Sequence, residues 1–136
     1  MKTNCDPSEA ARVLLVDDDA EVLEATADAL ALLGYEPAAY ACGLEALEAF
    51  RAGPASYRML ITDLNMPGIS GTELVIKARE LRSDLPCILT TGSDGRPADA
   101  PPDLAMLSKP YRIGELARHV RTVLDGRHAV SEGGLA

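Results

Sequence analysis

The chain has 136 residues, of which 47% are hydrophobic and 25% charged, with a formal net charge of −8. That length supports one domain with a proper core and excludes two, and the acidic balance speaks against a nucleic-acid binder, which ordinarily carries a basic stripe. No run resembles a transmembrane helix or a signal peptide, so a cytoplasmic location is expected. The three cysteines, Cys5, Cys42 and Cys87, lack metal-site spacing and are expected to be reduced and structural.

Residues 1–11 are polar and irregular and read as a flexible leader. Val13–Val16 is a continuous apolar run, as expected for a strand buried on both faces of a parallel sheet. It ends in Asp17-Asp18-Asp19, after which Ala20–Leu33 is rich in Ala and Leu. Leu23, Ala27 and Leu30 fall on one helical face there, and Gly34 is a natural stop. Tyr35–Ala41 contains a proline and reads as a weaker strand at a sheet edge. A short helix over Gly43–Arg51 turns Leu47 and Phe50 inward and closes at Gly53-Pro54. Met59–Thr62 is a second buried-strand pattern, ending in Asp63 and a turn rich in Pro and Gly. A third helix is expected over about Thr72–Arg82, with Leu74, Ala78 and Leu81 inside. Pro86–Thr90 is the next strand and leads into Thr91-Gly92. From Ser93 to Asp103 the helical pattern fails, because Gly95, Pro97, Pro101 and Pro102 interrupt it. Ala105–Leu107 is a short strand before Ser108-Lys109-Pro110. The last helix, about Ile113–Leu124, places Ile113, Leu116, Ala117, Val120, Val123 and Leu124 on one face and is expected to stop at Gly126.

Strands alternating with helices imply a parallel sheet covered on both faces. The fold class is therefore α/β, a flavodoxin-like (βα)5 doubly wound parallel sheet with strand order 2-1-3-4-5 and the fourth helix short or missing. The domain is expected over residues 12–126, with a disordered tail over 127–136 that is too short for an effector domain.

In that strand order the first and third strands are neighbours, so Asp17, Asp18 and Asp63 converge in one cleft. At ~4 Å and an effective dielectric of ~20, each pair of carboxylates repels by about 4 kcal/mol. Such a cleft raises a pKa, separates its charges or takes a divalent cation, and an all-oxygen site suits Mg²⁺ or Mn²⁺. Thr91 follows the fourth strand and Lys109 the fifth, which projects both at the same sheet edge. A hydroxyl and an ammonium ion suit phosphoryl oxygens. The constellation describes acyl phosphate formation on Asp63.

These residues resemble the receiver domain of bacterial two-component response regulators. The resemblance rests on Asp17-Asp18, on Asp63-Leu-Asn65-Met66-Pro67-Gly-Ile-Ser-Gly71, on Thr91 and on Lys109-Pro110, and spans about Arg12 to Gly126. It implies that Asp63 is the phosphoacceptor, receiving its group from the phosphohistidine of a histidine kinase or a histidine phosphotransfer protein in a phosphorelay. It also implies Mg²⁺ ligation by Asp18 and Asp63, by the backbone carbonyl of Asn65, and by Asp17 through water. Thr91 and Lys109 would hold the phosphoryl oxygens, and Thr91 would move inward on phosphorylation. Such a domain catalyses only its own phosphorylation and dephosphorylation, and no nucleic acid or membrane contact is expected of this chain. Many receivers carry Tyr or Phe three positions before the lysine, where this chain has Met106. Together with the Pro-rich segment that follows it, Thr90-Thr91-Gly92 resembles receivers attached to hybrid sensor kinases more than those fused to DNA-binding domains.

Bland readings compete with these. Asp19 fits a helix cap, and His119 and His128 fit solvated surface positions. Asp17 and Asp19 also satisfy the Asp-x-Asp pattern of a haloacid-dehalogenase-type phosphatase, which leaves the Asp63-to-Gly71 motif without a role. A flavodoxin-like electron carrier would want aromatics to stack a flavin, and the chain has no Trp and one Phe.

Overall fold

A computed structural model describes residues 12–92, 97–101 and 103–133, with side chains as far as Asp125. The elements in chain order are β1 (Arg12–Val16), α1 (Ala20–Leu32), β2 (Glu36–Tyr40), α2 (Gly43–Ala52), β3 (Met59–Asp63), α3 (Gly71–Leu81), β4 (Cys87–Thr91), β5 (Ala105–Ser108) and α4 (Ile113–Gly133). A 3-10 turn at Pro54–Ser56 joins α2 to β3. The five strands form one parallel sheet in the order β2-β1-β3-β4-β5, as expected from the sequence.

The continuous apolar runs have the anticipated cause. In β1, Leu14 and Val16 enter one core layer with Ala46, Leu47 and Phe50 of α2 and Leu74, Val75 and Ala78 of α3. Val13 and Leu15 enter the opposite layer with Leu30 of α1 and Leu116 and Val120 of α4. Every residue of β3 and β4 is buried, whereas in β2 only Ala38 is, which suits the edge position of that proline-containing strand.

Caps explain the helix starts that matter to the site. Asp19 accepts from the amides of Glu21 at 3.0 Å and Val22 at 3.3 Å, opening α1 directly after the acidic pair. Ser70 and Glu73 form a reciprocal capping box at the start of α3.

Several expectations need correction or restriction. Leu81 is 46% exposed and Ile113 45% exposed. They sit in the last turn of α3 and the first of α4, where a helix end is covered on fewer sides than its middle. The last helix does not stop at Gly126, because its backbone continues to Gly133 through most of the expected tail. One interior glycine costs about 1 kcal/mol relative to alanine, too little to end a helix whose neighbours favour it. Between β4 and β5 the described residues, 97–101, 103 and 104, form turns without a regular helix. Residues 93–96 and 102 lie outside the described residues, as do the leader and Cys5. Cys42 and Cys87 are both free thiols.

Arginines close the amino edge of the sheet. Arg82, just past α3, donates through Nη1 to the carbonyls of Pro54 and Tyr57, and the Arg12 guanidinium lies 5.0 Å above the Tyr57 ring. Arg79 donates to Leu85 O and Asp103 Oδ1, each at 3.2 Å.

Candidate functional site

Strand register builds the site. Val16 pairs with Thr62, so Asp17 and Asp63 leave the carboxyl edge of the sheet side by side. Asp63 pairs with Thr90, and Thr91 pairs with Ser108, which brings the residue after each pair, Thr91 and Lys109, to the same edge. Lys109 is further fixed by its amide, which donates to Thr91 O at 2.8 Å.

The turn after Asp63 is held by two glycines with different tasks. Gly68 adopts φ +87°, a conformation that costs a side-chain-bearing residue energy. At Gly71 the reason is space: a Cβ there would lie 2.1 Å from the carbonyl oxygen of Asp63 and 2.7 Å from Leu89 Cδ1. Its amide donates to Leu64 O at 2.9 Å, so α3 starts directly against the strand end that carries Asp63. Ile69 is buried and Met66 half-buried against the core, pinning the turn down, while Asn65 and Pro67 are exposed.

Asp17 and Asp63 are 3% and 6% exposed, and Asp18 is exposed. Carboxylate oxygens of the three lie within 4.8 Å of one another. Lys109 Nζ stands between two of them, 2.9 Å from Asp17 Oδ2 and 3.0 Å from Asp63 Oδ1. Asp17 Oδ1 also accepts from the Asp19 amide at 2.8 Å. Among the described residues, one ammonium ion is thus paired with two of the three clustered carboxylates. Burial pushes the Asp63 carboxyl above the usual carboxylate range; the hydrogen bond from Lys109 opposes this, and the charges of Asp17 and Asp18 add to it. For Lys109, burial works against the charged form, but the hydrogen bonds to Asp17 and Asp63 outweigh it and leave the pKa raised. The ammonium ion is therefore secure at neutral pH.

The predicted residues Asp17, Asp18, Asp63 and Lys109 come together, and Thr91 lies buried at the same sheet edge. Asp19 is a cap, which deprives the Asp-x-Asp phosphatase reading of its second carboxylate. His119 directs Nδ1 at the carbonyl of Glu115 in its own helix, 2.9 Å away; the side chain of His128 lies outside the described residues. Sequence reasoning missed Tyr111, whose hydroxyl lies 2.7 Å from Thr26 Oγ1 of α1. A polar-tipped aromatic directly after Lys-Pro was visible, but nothing marked Thr26 as its partner.

Residues 13–121 match the response regulator receiver domain family. Over 117 residues the chain is 32% identical to the response regulator receiver protein CpdR of Brucella abortus, covering 83% of this chain and 96% of that one. Relatives that are transcriptional regulatory proteins are longer, and the chain spans between 28% and 52% of their length. Among solved structures, the receiver domain of the hybrid histidine kinase CckA matches with 33% identity and a TM-score of 0.73, over 83% of this chain and 98% of that one. The response regulator TrrA of Thermotoga maritima, solved in complex with Mg²⁺ and BeF, matches with 32% identity and a TM-score of 0.73, over 82% and 97%.

Proposed function

The chain belongs to the response regulator receiver domain family, and on that premise we propose that Asp63 accepts a phosphoryl group from the phosphohistidine of a histidine kinase or a histidine phosphotransfer protein. The observation that carries this reading is the convergence of three carboxylates at the end of β3, with Lys109 bridging Asp17 and Asp63. A buried acid with a raised pKa and specific charge partners is a candidate reacting group.

The donor set fits a hard divalent cation. It offers only oxygens, its net charge is negative, and Asp18 opens it to solvent. Asp18 and Asp63 would hold Mg²⁺ or Mn²⁺ through carboxylates, Asn65 through its backbone carbonyl, and Asp17 through a water. When bound, the cation supplies positive charge to the phosphoryl oxygens. The protein's own residues do the rest. A carboxylate oxygen of Asp63 attacks phosphorus, the phosphorus–nitrogen bond of the donor breaks, and the leaving imidazole keeps the electron pair and takes a proton from solvent. Lys109 exchanges its contact with Asp63 for one with a phosphoryl oxygen, and the Thr91 hydroxyl provides a second contact as it moves inward. The added charge of about −1.5 to −2 biases the switch. The only chemistry is self-modification, so the domain signals and does not turn over a separate substrate.

Met106, half-buried against the core in β5, stands where many receivers have a rotating aromatic. Readout therefore rests on Thr91 and the crossover after it. The reading places the domain in the cytoplasm, in a phosphorelay, without direct contact to nucleic acid or membrane; no helix among the described residues is long and apolar enough to cross a membrane.

With Mg²⁺ and acetyl phosphate, intact-protein mass spectrometry is expected to show one phosphoryl adduct, mapped to Asp63 and lost in Asp63→Asn. Unchanged labelling of that variant overturns the assignment.

A further inference from the structure

α1 and the segment after β5 meet at a polar contact set into an apolar interface. Thr26 is 3% exposed, and Tyr111 packs against the core layer built from Val13, Leu15, Leu30 and Leu107. Their hydroxyls are 2.7 Å apart. A buried helical threonine ordinarily bonds back to a carbonyl of its own helix; this one faces a side chain 85 residues away. The positions of the two partners give the contact its meaning. Tyr111 is two residues past Lys109, and Thr26 lies on the helix that follows Asp17 and Asp18 directly. The bond thus joins the segment that carries the cation of the site to the segment that carries two of its anions.

We propose that Tyr111 and Thr26 are positioning residues, whose paired hydroxyls seat the Lys109–Pro110 turn against α1 so that Nζ lies between Asp17 and Asp63. The inference rests on the assignment of Asp63 as acceptor. A lysine carries its charge on a flexible stem with much rotamer freedom to lose, so an ammonium ion that must reach an incoming phosphoryl oxygen gains from a fixed base. The Lys109 amide bond to Thr91 O fixes one side of that base, and Tyr111 fixes the other. Misplacement of a positioning group by a fraction of an ångström lowers rate more than stability.

Tyr111→Phe and Thr26→Val remove the bond from opposite sides with little change in volume. Labelling by acetyl phosphate and Mg²⁺ is measured well below each variant's Tm, together with hydrogen exchange at the Lys109 amide. Each variant is expected to label about 5- to 10-fold more slowly, the double variant no more slowly than either single one, and Thr26→Ser at close to the wild-type rate. Exchange at Lys109 rises, while that of Ile88 and Leu89 is unchanged. Single variants that label within twofold of wild type, or a double variant whose losses multiply, overturn the proposal. A fall in Tm without a change in rate does so too, since it marks a packing role alone. If one variant fails to fold, the other decides. Asp63→Asn run alongside separates the two claims: residual label there means the acceptor assignment has failed, whereas no label there with full rates in the hydroxyl variants defeats only the positioning role.

Discussion

At the amino edge of the sheet, Arg82 donates to the carbonyls of Pro54 and Tyr57 and sits 3.3 Å from Asp84, and Arg79 is matched by Leu85 O and Asp103. At the carboxyl edge, Asp17, Asp18 and Asp63 crowd together, with Lys109 paired to Asp17 and Asp63. The first arrangement satisfies loop carbonyls that would otherwise lack donors and so closes the fold. The second leaves a surplus of negative charge in a place that burial makes expensive. The contrast separates charges that hold the protein together from charges kept for chemistry, and three substitutions probe it.

The largest effect is expected at the seam between scaffold and site. Gly71→Ala drives a methyl group into the Asp63 carbonyl and Leu89, and a cost of about 3 kcal/mol or more is expected as a lowered urea midpoint. A loss below ~1 kcal/mol would mean that α3 does not press on the strand end as described. Next, Arg82→Ala removes the donor to two carbonyls and should cost about 2 kcal/mol while labelling of Asp63 proceeds at the wild-type rate. A labelling defect would erase the distinction between the two edges.

The smallest effect has the opposite sign. In metal-free buffer at neutral pH, Asp63→Asn should be more stable than wild type by about 1 kcal/mol, or some 4 °C in Tm, because a buried charge and its repulsion by Asp17 and Asp18 are gone. The folded-state pKa of Asp63 lies above its unfolded value, so the folded protein holds a proton that the unfolded chain has released. Wild-type stability therefore falls as pH rises from the ordinary carboxylate range through the folded pKa, and the advantage of the variant shrinks on acidification. Thermal melts of the pair across that range that show an advantage growing with acid would refute this account.

The sheet was legible because β1, β3 and β4 are uninterrupted apolar runs, the signature of strands covered on both faces. The convergence of Asp17 and Asp63 then followed from strand order, since adjacent parallel strands deliver their following residues to one edge. Gly71 was visible as a motif glycine, but its task, clearing space for the Asp63 carbonyl, depends on the angle at which α3 meets β3. Leu81 and Ile113 misled because periodicity shows which way a side chain faces along a helix but not how well the helix end is covered, and Gly126 misled because one glycine is too weak a stop for a helix whose neighbours favour it. Thr26 with Tyr111, and Arg82 with Pro54 and Tyr57, were illegible because both contacts join residues far apart in the chain. Local pattern carries no information about such pairs.

The grip of Arg82 on Pro54 and Tyr57 has a mechanical corollary. Residues 54–82 leave the amino edge along β3, turn at Asp63, return along α3, and are buckled to their own start, while the Gly71–Leu64 hydrogen bond cinches the bend. The strand that bears Asp63 and the helix after it thus form a closed hoop with little internal slack. A group added at the bend cannot be accommodated by stretching the hoop. On the proposed assignment of Asp63, the displacement would pass sideways to Thr91 and to the Pro-rich crossover beyond it, where the described residues hold turns and not a rigid rod.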